Sequence, residues 1–185
     1  KEIYSLFIRL LLLFFLLPQT IFSQNYHQYV NPFIGTGGHG HTYPGATLPF
    51  GMVQLSPDTR IDGSWDGCSG YHYSDNIIYG FSHTHLSGTG VSDYGDILLM
   101  PTMEVDKIDA EEYSSFFRKS NETASAGFYE VYLDKHDINV ELTASTRVGF
   151  HRYTFNRSGK ANVILNLRHR DKLTNGKIRV IDNRT

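Results

Sequence analysis

An all-β, antiparallel β-sandwich is the fold class this sequence predicts, on three observations. Apolar and polar residues alternate with period two through much of residues 127–182, turn-forming clusters separate those runs, and no long helical periodicity is visible. Short strands spaced by turn signals bury one face each and are stable when two sheets close over a shared core. The chain has 185 residues, 40% of them hydrophobic, which is enough for one domain with a proper core. Its formal net charge of -2 supplies no electrostatic case for nucleic acid or anionic lipid.

Taken in order, residues 1–23 read as a secretory signal peptide. Lys1 and Arg9 flank or precede the apolar run Leu10–Leu17, Pro18 follows, and Ile21-Phe22-Ser23 ends near a small residue. The run is too short to span a bilayer, and the polar Gln24–Gln28 favours a processing boundary near Ser23/Gln24 over a buried helix. The remaining residues, 24–185, form the expected sandwich domain. The lone Cys68 excludes an internal disulfide framework and reads as a small buried residue. The chain opens on Lys1 and closes on Asn183-Arg184-Thr185 without a closing element, so a fragment of a longer protein is expected.

Residues 31 to about 101 are dense in Gly, Ser, His and Tyr, with short apolar runs at Leu48–Leu55, Ile77–Phe81 and Ile97–Met100. Ala110–Arg118 is the nearest candidate for a helix. Beyond it Ile138, Val140 and Leu142 alternate with Asn139 and Glu141. His151, Tyr153 and Phe155 share a face, and Val163, Leu165 and Leu167 alternate with Asn162 and Asn166. Turns are expected at Lys135-His136-Asp137, at Asn156-Arg157-Ser158-Gly159 and at Thr174-Asn175-Gly176, the last as a hairpin before Ile178–Ile181.

Chemistry concentrates in the loops. Gly35-Thr36-Gly37-Gly38-His39-Gly40 matches a dinucleotide pattern in letters, but Pro44 and Pro49 follow where that motif needs a helix. The glycines predict instead a tight loop whose backbone approaches something closely. Histidines recur at spacing two, His39/His41 and His83/His85, a spacing that on a strand points both rings to one face. Such pairs grip a metal if Asp66, Asp75, Asp93 or Asp96 adds a third ligand, or else line a polar pocket and satisfy loop carbonyls. Trp65 stands among turn formers in Ser64-Trp65-Asp66-Gly67-Cys68, where an indole offers a flat apolar face and Asp66 an acceptor for hydroxyls. The structural alternative for Trp65 is a plug beneath the loop. The loop carboxylates also admit the pair that glycoside hydrolysis uses, roughly 6.5–9.5 Å apart when configuration inverts.

The run from Val30-Asn31-Pro32-Phe33-Ile34-Gly35 through His39-Gly40-His41-Thr42-Tyr43-Pro44-Gly45-Ala46 and Pro49-Phe50-Gly51-Met52-Val53-Gln54 resembles the opening of glycoside hydrolase family 92. Gly70-Tyr71-His72-Tyr73, Phe81-Ser82-His83-Thr84-His85-Leu86-Ser87-Gly88 and Gly95-Asp96-Ile97 follow in the same order. The resemblance implies an exported, exo-acting, inverting α-mannosidase that trims mannose from glycans and depends on calcium. It implies an N-terminal β-sandwich paired with a C-terminal helical toroid that brings the catalytic carboxylates and most calcium ligands. The present chain would then contribute pocket-closing loops and be inactive alone. Trp65 matches the family's substrate-contacting tryptophan loop; Asp66, His83 and His85 are further substrate-binding candidates. An exposed apolar face is expected where the helical domain would dock. Two other readings compete: a stand-alone carbohydrate-binding module, which predicts mannoside affinity without a partner domain, and a small metal-dependent β-barrel enzyme using the His pairs.

Overall fold

The structure, a computed structural model, describes residues 25–182 together with Ile3, Tyr4 and Phe7. The expected export segment therefore lies outside the described residues, those three positions excepted. Eleven strands form among the described residues: β1 (Ala46–Thr47), β2 (Gln54–Asp58), β3 (Ile77–Ile78), β4 (Gly80–Ser82), β5 (Leu98–Met103), β6 (Ser115–Phe116), β7 (Glu122–Ser125), β8 (Phe128–Leu133), β9 (Ile138–Ala144), β10 (Gly149–Phe155) and β11 (Ala161–Asn166). They build a five-stranded sheet in the order β1-β2-β4-β5-β11, a four-stranded sheet β10-β9-β8-β7, and the small pair β3-β6. Every pairing is antiparallel.

The two large sheets face each other through β1 and β2 on one side and β8 and β9 on the other. Leu55, Phe81 and Met100 meet Tyr129, Val131, Leu133, Ile138, Val140 and Leu142, all fully or almost fully buried. Each large apolar side chain so placed contributes about 1.5–3 kcal/mol. The all-β sandwich expected from the sequence is the fold observed. Ile138, Val140 and Leu142 point inward, and His151, Tyr153 and Phe155 share the half-buried face of β10, both as their alternation predicts.

Four local expectations are corrected. The Leu48–Leu55 run is a turn before it is a strand: Gly51 N–H donates to Leu48 O, and Phe50 projects into solvent with φ +59. Only one helical turn forms at Ala110–Tyr113 before the chain extends as β6. β11 has the opposite phase: Val163 and Leu165 face out, while Ile164 reaches the core. Its inward asparagines are satisfied, Asn162 by Val105 O at 3.3 Å and Asn166 by the Tyr113 hydroxyl at 3.1 Å. Residues 178–181 form no strand and no hairpin, and Ile178, Val180 and Ile181 stay exposed.

A polar knot forms at the start of β7, the edge strand of the four-stranded sheet. The Glu122 carboxylate accepts from Tyr71 Oη (3.0 Å), Tyr129 Oη (2.7 Å) and Lys119 Nζ (3.2 Å). Lys119 also lies over the rings of Phe117, Tyr71 and Tyr73. Burial and the nearby carboxylate push the Tyr71 and Tyr129 hydroxyls far above their ordinary range, so both stay protonated donors.

Candidate functional site

Three loops meet: the Gly-rich loop before β1, the Trp65 loop between β2 and β3, and the segment between β4 and β5. The first is folded tightly enough that a Cβ on Gly40 would lie 2.0 Å from Gly35 O, the close backbone approach its glycines predict. The second is clamped at its neck. Thr59 N–H donates to Gly70 O at 2.7 Å, and the Arg60 guanidinium forks onto Asp75 through Nε–Oδ2 (2.9 Å) and Nη2–Oδ1 (3.1 Å). Arg60 Nη1 also reaches Ser64 Oγ at 3.2 Å, which fixes the residue just before Trp65. A bidentate guanidinium–carboxylate pair sets direction as well as distance, so the loop is held rigidly at its root.

At the tip, Trp65 opens a 3-10 turn, Trp65–Gly67, and remains 56% exposed. It is not a plug. His39 and His41 of the Gly-rich loop border the indole with ring centroids 5.0 and 4.3 Å away. His39 Nδ1 lies 2.5 Å from Asp66 Oδ1, and this contact holds the Asp66 carboxyl below its usual range. Indole face, ionised Asp66 and His39 thus share one open surface. His72 links the loops from behind, with Nε2 3.2 Å from Gly38 O and Nδ1 2.8 Å from Ser74 Oγ.

The other two candidates go elsewhere, to separate sets of partners. His85 is 4% exposed and lies beneath the loops. Its Nδ1 is 2.7 Å from Gln54 O, while Nε2 faces Ser82 Oγ (3.1 Å) and Asp58 Oδ1 (3.5 Å). Asp58 is wholly buried and is the hub of this layer. Ser82 donates to its Oδ2 from Oγ (2.5 Å) and N (3.1 Å), and its Oδ1 faces His169 Nε2 (3.3 Å) and Arg170 Nη2 (3.4 Å). Burial alone would raise the Asp58 carboxyl, but His85 and His169 prevail and hold it well below the carboxylate range. Gly70 caps the hub: a Cβ there would lie 2.5 Å from Asp58 Oδ1, at a φ of +94 that also disfavours any side chain.

His83 faces β10. Its Nδ1 is 2.6 Å from Ile97 O, and its Nε2 is 3.1 Å from His151 Nε2, whose Nδ1 meets Tyr153 Oη at 2.8 Å. One neutral arrangement satisfies every atom: Tyr153 donates to His151, His151 to His83, and His83 to the Ile97 carbonyl. Burial and the neighbouring ring push His151 down to about 4, and burial lowers His83 as well. A histidine with a depressed folded value resists a proton that the unfolded chain takes up near pH 6.5. Stability is therefore expected to fall as pH drops from about 6.5 toward 4, and His151→Phe should flatten that slope in urea titrations. An unchanged slope in the variant would place the acid sensitivity elsewhere.

Among the described residues, no three His, Cys, Asp or Glu side chains converge as a metal site. Asp66 is engaged by His39, Asp75 by Arg60, and Asp96 by Thr84. The His151 relay, the Asp58 hub and the Arg60–Asp75 clamp were not among the sequence candidates. The available signal for Asp58 was a carboxylate ending the Gln54–Asp58 strand.

The family model described as the glycosyl hydrolase family 92 N-terminal domain matches residues 29–185. Among solved structures, the chain is similar to a family GH92 α-mannosidase from Bacteroides thetaiotaomicron, solved with and without mannoimidazole, at 39% identity and a TM-score of 0.75. That match covers 79% of this chain and 20% of the other. A family GH92 inverting mannosidase from Bacteroides thetaiotaomicron VPI-5482 matches at 28% identity and a TM-score of 0.67, over 76% of this chain and 19% of that one. An uncharacterized secreted glycosidase of Arthroderma benhamiae is 30% identical over 150 residues, 75% of this chain and 19% of the relative. The chain thus spans about a fifth of the length of these relatives. On the family match, the order of its motifs and the shared sandwich, the chain belongs to glycosyl hydrolase family 92, as its N-terminal domain.

Proposed function

We propose that this chain is the exported, pocket-forming N-terminal part of an exo-acting, inverting α-mannosidase that trims mannose from glycans. In this reading residues 1–23 direct export and residues 24–185 form the sandwich domain. The observation that carries it is the exposed Trp65 indole, held on a clamped loop beside the ionised Asp66. A sugar ring stacks its apolar face on such an indole while its hydroxyls donate to a neighbouring carboxylate. Trp65 and Asp66 are assigned the sugar contacts. His85 supports them from below through Asp58, and His83 anchors the β4–β5 segment to β10.

The catalytic acid and base are assigned to a C-terminal domain. Of the carboxylates at the site, Asp58 is locked in its buried hub and Asp66 is held low by His39, the opposite of what a general acid needs. Calcium, which the family resemblance implies, does not fit the described residues, among which no group of three or more candidate ligands converges. The outward apolar side chains Val163 and Leu165 of β11 and Phe150 of β10 suit a surface covered by that further domain.

Trp65 is the only tryptophan of the chain, so its fluorescence reports on this site alone. Methyl α-D-mannoside is expected to shift Trp65 emission with a dissociation constant on the order of millimolar, a result the stand-alone binding module shares, and hydrolysis by the chain joined to a C-terminal domain separates the two. Methyl α-D-galactoside should be weaker. No response to the mannoside at concentrations far above that range would remove Trp65 as the sugar platform.

A further inference from the structure

His41 combines three features that no other residue of the site shares. Its backbone is left-handed, with φ +55, a conformation that costs most side chains stability. The residue is 7% exposed, and its buried Nε2 meets no hydrogen-bonding partner among the described residues. Its ring stands at 82° to the Trp65 indole with the centroids 4.3 Å apart, the edge-to-face arrangement that aromatic rings favour. The surroundings hold it there. Gly88 N–H donates to His41 O at 2.7 Å. Gly90, at φ +69, closes the opposite side so tightly that a Cβ would lie 3.0 Å from Trp65 Nε1 and 3.7 Å from His41 Nδ1. Strain and an unpaired buried nitrogen persist together only where surrounding structure over-determines them.

We propose that His41 is a positioning residue, which sets the plane of the Trp65 indole and so the face offered to the sugar. The proposal rests on the reading of Trp65 as the sugar platform, but its first readout needs no sugar. The segment 86–91 completes the holder: Gly88 fixes His41 from its backbone, and any side chain at Gly90 would crowd the indole.

The test uses the 185-residue chain, whose single tryptophan reads the site directly. His41→Asn removes the ring, while asparagine tolerates the left-handed backbone, so the fold is expected to be retained. The expected result is an unchanged thermal midpoint, lower steady-state anisotropy of Trp65 and faster acrylamide quenching. Affinity for methyl α-D-mannoside should fall about fivefold, the size of one aromatic pair. His41→Phe restores a ring edge and should return the anisotropy toward wild type. Wild-type anisotropy and quenching in His41→Asn would overturn the proposal, including the case in which only the thermal midpoint drops, because that is a structural role. Should the wild-type chain ignore the mannoside while His41→Asn still loosens Trp65, the sugar reading fails and the positioning of the indole stands.

Discussion

Asp58→Asn is expected to destabilise the domain by about 3–5 kcal/mol, the cost of removing one partner from a buried ionic cluster. The substitution keeps the shape of the side chain and removes its negative charge. His85, His169 and Arg170 then face a neutral amide, and their side chains are 1%, 2% and 10% exposed. Their burial leaves little room for solvent to compensate. For a domain of this length the loss corresponds to a fall in thermal midpoint on the order of 10 °C. The pH dependence has a definite sign. Asp58 has a folded value well below its unfolded one near 3.9, so its contribution is fully present above about pH 4 and is lost as pH falls toward the folded value. Wild type and variant should therefore differ most at neutral pH and converge in acid. Urea titrations at neutral and acid pH check this. A variant within about 0.5 kcal/mol of wild type at neutral pH would mean that desolvation cancels the attraction within the cluster.

The same substitution reaches the site. Gly70 lies against Asp58 and His85 and closes the neck of the Trp65 loop through its bond to Thr59. Arg170 joins the hub to Ser92 of the β4–β5 segment at 2.6 Å. Loosening Asp58 is therefore expected to loosen two of the three loops that form the open surface around Trp65.

Much of the sheet architecture was legible because alternation is a local signal. β9 and β10 show their inward faces in seven residues each, and the Lys135-His136-Asp137 turn joins β8 to β9. β11 misled for a physical reason: its asparagines find partners inside, Val105 O and Tyr113 Oη, so polarity no longer marks the solvent side. Asn175-Gly176 carries a good hairpin sequence, but turn chemistry alone makes no hairpin, and residues 178–181 pair with no strand. In the site, Trp65 and Asp66 were legible because an indole among turn formers has few reasons to be there. The hub was not. Arg170 meets Asp58 across 112 positions, and His151 meets His83 across 68, distances that only the strand order converts into contact. His85 shows the limit of reading spacing: its ring and that of His83 are two residues apart, yet one is engaged by Asp58 and the other by His151.

We propose that Trp65 forms one wall of a mannoside pocket completed by a C-terminal domain. It is tested most directly by hydrolysis of 4-nitrophenyl α-D-mannopyranoside by the chain joined to that domain, wild type against Trp65→Ala. The indole is half exposed without ligand, and its loop is clamped by Arg60 and Asp75, so truncation removes contact area without unfolding the loop. Losing a well-packed aromatic anchor costs upwards of about 2 kcal/mol, and a fall in kcat/KM of about 100-fold is expected, with the thermal midpoint unchanged. The predicted result is mannosidase activity in the wild type and that loss in the variant. Equal activity in the two proteins, or a wild type that cleaves no α-mannoside, would mean that Trp65 lines no such pocket.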